Sequence, residues 1–139
     1  MVGSPGHQVS RDLGRLAAVV LLLGAVQGCA VLDLLSPSRQ RGLASWSAPG
    51  FYGEATAGGT VYTGEGMTAA HPRFPFGTRV RVTDRENGRR VVVVIDDRGP
   101  FVHGRIIDLS EAAAERLGML EAGVVRVRLK VLAWGSGGA

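Results

Sequence analysis

The strongest constraint on the fold is a predicted β-hairpin in the middle of the chain. Residues 78–83 alternate polar and apolar side chains, as a half-buried strand does. Residues 90–95 (RVVVVI) are a β-branched run, which predicts a strand buried on both faces. Between them, Asn87 and Gly88 are a strong hairpin turn signal. The two segments are therefore expected to pair as neighbouring antiparallel strands.

The remaining signals are also mostly β. Residues 125–131 alternate apolar and basic side chains, and residues 105–109 predict a further short strand. Ser110 is a suitable N-cap for one short helix over residues 111–117, which Gly118 would end. Because closure removes exposed strand edges, several short strands and one small helix predict an all-β fold in the form of a small barrel.

The first 28 residues predict a lipoprotein signal peptide. Two arginines precede an apolar run over residues 16–26, which is shorter than the roughly 20 residues needed to cross a bilayer. Gly28 stands directly before Cys29, as in a bacterial lipobox, where the cysteine becomes the lipidated first residue of the mature protein. An ordinary signal sequence or an uncleaved anchor would also fit the apolar run. Ala30, rather than aspartate, follows Cys29, which favours the periplasmic face of the outer membrane.

The mature chain is expected to have three parts. A tether covers residues 29–41, a folded domain covers residues 42–133, and a flexible tail covers residues 134–139. Cys29 is the only cysteine, so no intramolecular disulfide can form. Residues 29–139 carry 14 basic and 11 acidic side chains, a net charge of +3, which is too mild to indicate nucleic acid as a partner.

Two carboxylates at the end of the β-branched strand are the best candidates for chemistry. Asp96 and Asp97 precede a Gly-Pro turn, and a rigid strand would fix the direction of their side chains. Adjacent residues of a strand point to opposite sides, so only one of the two is expected to face a cleft. Hydrogen bonds within the turn, or pairing with Arg98 and Arg105, would explain the same acids without any chemistry.

His71 is the second candidate. It precedes Pro72, so it is expected in extended or turn backbone. It could donate to a substrate or orient Asp97, or it could be an ordinary structural histidine. His71 and His103 are a poor basis for a metal site, and the chain has no HExxH, CxxC or Walker motif. We therefore expect neither a metal nor a cofactor.

A series of ordered segments resembles the rare lipoprotein A family. These segments are residues 42–46, 56–59, 67–71, 74–82, 87–89, 97–101 and 104–110. The family fold is a six-stranded double-psi β-barrel, which expansins, barwin and some endoglucanases share. The resemblance implies this barrel, with one short helix, after an N-terminal lipoprotein signal.

The resemblance also implies a lytic transglycosylase of the cell wall. Family members cleave peptide-free peptidoglycan strands between N-acetylmuramic acid and N-acetylglucosamine and leave a 1,6-anhydro end. One carboxylic acid can protonate the leaving oxygen and then take the proton of the C6 hydroxyl. Asp97 matches the family's acid and His71 its histidine. The implied partners are glycan strands, a membrane through lipid on Cys29, and cell-division proteins.

Position 60 departs from the family pattern. The family has a glutamate tied to activity where this chain has Thr60. Glu54 or Glu65 lies nearby in the sequence and could substitute, although neither matches the position. We expect Thr60, Glu54, Arg98 and Arg105 to contact the substrate. The missing glutamate keeps a different class of function open, a non-catalytic, expansin-like lipoprotein that binds peptidoglycan without cutting it.

Overall fold

The predicted central hairpin is present. In the computed structural model, which describes residues 36–137, strand β3 spans Arg79–Asp84 and strand β4 spans Arg90–Asp97. The two strands pair antiparallel, with Val82 opposite Val91. Gly88 has a φ of 74° in the turn between them, a conformation that glycine adopts without steric cost.

Four further strands close the barrel. They are β1 (Arg39–Trp46), β2 (Thr68–Ala70), β5 (Arg105–Leu109) and β6 (Val125–Ala133). The order around the barrel is β1-β5-β2-β4-β3-β6. The β1–β5 and β2–β4 pairs are parallel, and the other four pairs are antiparallel. The expectation of an all-β, six-stranded closed barrel is confirmed, and this architecture fits a double-psi barrel.

Strand β4 differs from its prediction in one respect. Val91, Val93 and Ile95 are buried, whereas Val94 on the other face is 38% exposed. The strand is therefore buried on one face only. In a small closed barrel every strand has one face in the core and one outside, and outward valines favour the strand without requiring burial.

The barrel core is built from the inward face of each strand. In β6, Val127 and Leu129 are fully buried, while the alternating basic side chains point outward. Complete burial of a valine or leucine side chain stabilises a fold by about 1.5–3 kcal/mol. The same core includes Val80, Val82, Val91, Val93, Ile95, Ile107 and Leu109.

One α-helix, α1 (Glu111–Leu117), follows β5 as predicted. The Ser110 side chain accepts a hydrogen bond from the Ala113 N–H at 3.3 Å, and Gly118 ends the helix with a φ of 76°. A 3-10 turn lies at Pro49–Phe51.

The domain begins earlier than the sequence indicated. Strand β1 starts at Arg39, so the segment predicted as a tether up to residue 41 contributes to the sheet. The reason is the length of β6, whose nine residues place Lys130 opposite Arg39 and Arg128 opposite Arg41.

Residues 134–137 also differ from the predicted flexible tail. The Gly135 N–H donates to Thr78 Oγ1 at 3.0 Å, and the Gly137 N–H donates to the Phe76 carbonyl at 3.1 Å. The Trp134 ring meets Phe74 edge-on, with ring centroids 5.4 Å apart. A Cβ at Gly135 would lie 2.1 Å from the Phe76 oxygen, so this approach requires glycine.

The predicted signal peptide and Cys29 lie outside the described residues. Among residues 36–137, no helix has the length and apolar character needed to cross a membrane.

Candidate active site

A β-bulge at the end of β4 brings both candidate carboxylates to one place. Ala69 on β2 lies opposite Ile95, and the next residue, Ala70, lies opposite Asp97, so Asp96 is an extra residue in the ladder. A bulge re-aims side chains locally. Asp96 and Asp97 line the same open depression, so the expectation that only one of them faces a cleft was wrong. The alternation rule does not anticipate an inserted residue.

The depression lies where β2, β4 and β5 meet the loop over residues 52–62. It contains a third carboxylate, Asp108. Its hydroxyl groups come from Ser47, Thr56, Tyr62, Thr68 and Ser110. Carboxylates and hydroxyls together can donate to and accept from a ligand rich in hydroxyl groups.

Asp97 is held by backbone donors on two sides. Its Oδ1 accepts hydrogen bonds from the Ala57 N–H at 2.9 Å and from the Arg98 N–H at 2.8 Å. Its Oδ2 accepts no hydrogen bond from the described residues, which leaves that oxygen available to a ligand. The carboxylate therefore has a fixed direction and one open oxygen.

Thr60 reaches the carboxylate pair through Asp96. The Thr60 hydroxyl donates to Asp96 Oδ2 at 3.2 Å, and it lies 2.7 Å from the hydroxyl of Thr56. Burial raises the pKa of Asp96, the Thr60 hydrogen bond opposes this increase, and the neighbouring charge of Asp97 adds to it. The pair thus contains one carboxyl held by backbone amides and one held by the Thr60 hydroxyl.

The His71 ring is bound within the protein and does not line the depression. Only 1% of its surface is exposed. Its Nδ1 accepts hydrogen bonds from the Arg73 N–H at 3.0 Å and the Phe74 N–H at 2.9 Å. The proton must therefore be on Nε2, which donates to Gln40 Oε1 at 3.1 Å.

His71 is accordingly a neutral imidazole. Burial lowers its pKa to about 4, and the positive charges of Arg73 and Arg98 contribute to this decrease. Its direct contact with Asp97 runs through the backbone, where the His71 N–H donates to the Asp97 carbonyl at 3.2 Å. The ring itself binds the backbone of residues 73 and 74 and the Gln40 side chain, and the side-chain pair of His71 and Asp97 considered from the sequence does not form.

Arg98 is engaged in holding the loop that contains His71. Its Nη1 donates to the Phe74 carbonyl at 2.9 Å and to the His71 carbonyl at 3.3 Å. Its guanidinium lies 3.8 Å from the centroid of the Phe76 ring. None of the four predicted substrate contacts, Thr60, Glu54, Arg98 and Arg105, is among the residues that line the depression.

Two side chains of the depression were missed by sequence reasoning. Asp108 accepts hydrogen bonds from Ser45 Oγ at 3.0 Å and Ser47 Oγ at 2.9 Å. The Tyr62 hydroxyl donates to the Ser47 carbonyl at 2.9 Å and accepts from the Glu111 N–H at 3.0 Å. An acid between two apolar residues of a predicted strand was a signal for Asp108, whereas Tyr62 had none. Among residues 36–137, no cluster of three or more His, Cys, Asp or Glu side chains is arranged to hold a metal ion.

Comparison with known proteins places the chain in a family. Residues 40–129 match the model of the lytic transglycolase family. The chain belongs to this family. It is 43% identical over 130 residues to a probable endolytic peptidoglycan transglycosylase RlpA of Synechocystis, covering 91% of this chain and 40% of that protein. It is 50% identical over 92 residues to the endolytic peptidoglycan transglycosylase RlpA of Pseudomonas aeruginosa. This match covers 66% of this chain and 27% of that protein. The chain spans less than half the length of these two relatives.

Solved structures show the same barrel in proteins of other kinds. The fold is similar to that of the Streptomyces papain inhibitor, with a TM-score of 0.56, 26% identity, and coverage of 70% of this chain and 96% of that chain. It is also similar to an expansin of Clavibacter michiganensis, with a TM-score of 0.55 and 23% identity. This match covers 71% of this chain and 52% of the expansin chain. The expansin similarity shows the fold alone.

Proposed function

We propose that the chain is a lytic transglycosylase that cleaves peptide-free peptidoglycan strands between N-acetylmuramic acid and N-acetylglucosamine. The observation that carries this proposal is the Asp96–Asp97 pair in an open polar depression of a lytic transglycolase domain. The names of the relatives, endolytic peptidoglycan transglycosylases, support the substrate class.

Asp97 acts first as acid and then as base in this proposal. Its carboxyl group gives a proton to the glycosidic oxygen while the bond from that oxygen to C1 of the muramic acid breaks. The C6 hydroxyl of the same sugar then bonds to C1, and the Asp97 carboxylate takes the hydroxyl proton. The acid is regenerated, the product carries a 1,6-anhydro ring, and no water is consumed. The open Oδ2 is the atom that would exchange the proton.

Asp96 supplies the second carboxyl group. The family's glutamate is absent at Thr60, but the Thr60 hydroxyl donates directly to Asp96. A carboxylate at Asp96 would favour the positive charge that develops at C1 as the glycosidic bond breaks. Glu54 and Glu65 are exposed and do not line the depression, so Asp96 is the better substitute for the missing glutamate.

The anchoring of the protein is part of the same proposal. The lipobox resemblance supports lipidation of Cys29 and attachment to the periplasmic face of the outer membrane, and the family resemblance is the ground for contact with cell-division proteins. Labelling cells with a clickable fatty acid tests the first of these directly, because Cys29→Ser should abolish the label.

A non-catalytic glycan binder is the second candidate function. The observation that favours it is the uncharged Thr60 at the position of the family's glutamate. A binder would retain glycan strands without releasing products, whereas a transglycosylase would release them.

Digestion of purified, peptide-free glycan strands separates the two candidates. We expect the full chain to release fragments with 1,6-anhydro ends, detected by mass spectrometry, and Asp97→Asn to release none. Glu121→Gln, which removes an exposed carboxylate outside the depression, is the matched control and should behave as the parent chain. Retention of glycan without any anhydro product would instead support the binder.

A further inference from the structure

The outer wall of the barrel opposite the depression is densely cationic. Lys130 on β6 lies directly opposite Arg39 on β1 and Arg81 on β3. Two residues earlier on β6, Arg128 lies opposite Arg41 on β1. We call this surface the basic wall, and it consists of Arg39, Arg41, Arg81, Arg126, Arg128 and Lys130.

Five of the six charges of the basic wall have no neutralising partner among residues 36–137. Apart from Arg39, none of its side chains forms an ion pair or hydrogen bond within the part of the chain that the structure describes. Directly opposed like charges destabilise a sheet. The same positions could carry neutral residues without disturbing the core, because these side chains point away from it. An external anionic surface would remove the repulsion.

We propose that the basic wall docks on the phosphate headgroups of an anionic bilayer. Arg39 follows Cys29 by ten residues, which span about 35 Å at most. If Cys29 is lipidated, this short connection holds the wall near the membrane and raises its local concentration there. Leu132, further along β6, and Trp134 are exposed beyond Lys130. Aromatic and apolar side chains beside basic residues suit the bilayer interface.

The position of the wall in the barrel leaves the depression free. Strand β6, the centre of the wall, lies three strands from β2 in either direction around the barrel. The depression is built on β2 and the ends of β4 and β5. A domain docked through the basic wall would therefore turn the depression away from the bilayer and towards the cell wall.

Vesicle co-sedimentation tests the docking surface. The full chain with Cys29→Ser is mixed with phosphatidylcholine vesicles, or with the same vesicles containing phosphatidylglycerol, at low and high salt. We expect tighter binding to the anionic vesicles and a loss of that preference at high salt. The leader sequence is common to all variants, so a difference in vesicle binding between variants is caused by the substitutions in the barrel.

Two triple variants distinguish binding through the basic wall from a general effect of the protein's net charge. The first carries Arg81→Gln, Arg128→Gln and Lys130→Gln. Since each basic side chain near an anionic surface contributes about fivefold, it should bind anionic vesicles about a hundredfold more weakly. The control carries Arg73→Gln, Arg89→Gln and Arg116→Gln, which remove the same charge from other parts of the domain, and should retain most of the binding. Should the first triple variant fold poorly, Lys130→Gln alone should still show a loss of about fivefold.

The outcomes that overturn the proposal are distinct from failure of the proposed function. Equal loss in both triple variants, or no preference for anionic vesicles, would refute the docking surface. Reduced binding to isolated sacculi with unchanged vesicle binding would assign the wall to a cell-wall polymer instead. Cleavage of soluble glycan fragments should not change in the first triple variant, because its three residues lie outside the depression.

Discussion

Replacing His71 with asparagine should remove a pH dependence from the stability of the fold. His71 is buried and neutral, and its Nδ1 accepts hydrogen bonds from the N–H groups two and three residues ahead. An asparagine side-chain oxygen can accept from the same backbone positions, so the turn should survive. The substitution removes the titrating ring and its stacking on Phe74, where the ring centroids are 3.6 Å apart.

The magnitude follows from the two protonation equilibria. The folded chain protonates His71 with a pKa of about 4, and the ordinary value is 6.5. Between these values the unfolded chain binds more protons than the folded one, so stability is full above pH 6.5 and falls as the pH drops towards 4. The gap corresponds to a loss of about 3 kcal/mol at most. The raised pKa of Asp96 acts with the opposite sign, but it is present in both proteins.

Urea denaturation of the full chain at a series of pH values measures this effect. The difference in unfolding free energy between the parent chain and His71→Asn should shrink by about 2–3 kcal/mol from pH 7.5 to pH 4.5. The exposed His103 provides a matched control, and His103→Asn should keep the pH profile of the parent chain. Parallel curves for the parent chain and His71→Asn would refute the assignment of a buried neutral imidazole.

Three further predictions concern the proposed site and the fold. Asp96→Asn should lower the rate of glycan cleavage by about 10²-fold. If positions 96 and 60 share one role, adding Thr60→Glu should recover much of that loss. A double variant that stays as slow as Asp96→Asn would show that the two positions have different roles. Ser110→Ala should destabilise the fold by about 1–2 kcal/mol in urea, because the hydroxyl also donates to the Gly66 carbonyl at 2.6 Å. Cys29→Ser should move the protein out of the membrane fraction, and unchanged fatty-acid labelling would contradict the lipobox.

The sequence was most informative where the pattern was local. The hairpin of β3 and β4, the alternation in β6, and the caps Ser110 and Gly118 all depend on neighbouring residues, and all were predicted. The parallel pairing of β1 with β5 joins segments about 60 residues apart, and no local pattern specifies such a partner. The sequence did not predict this pair, and the family resemblance implied only a six-stranded double-psi barrel as a whole.

The site was less predictable because it depends on irregular geometry. The bulge at Asp96 breaks the alternation that sequence reasoning assumed, and it is the reason that two adjacent carboxylates share one depression. His71 and Arg98 lie in family motifs, but the polar atoms of both side chains bind other groups of the protein. A motif match identifies a position, and only the fold shows whether its side chain faces a ligand.

The isotopic composition of the reaction products tests the central claim most directly. Peptide-free glycan is digested by the full chain in H₂¹⁸O, and the new ends are analysed by mass spectrometry. The proposed use of the C6 hydroxyl predicts 1,6-anhydro ends without any ¹⁸O, and no such ends with Asp97→Asn. Reducing ends that contain ¹⁸O would show that water is the nucleophile, and would contradict the mechanism proposed for Asp97.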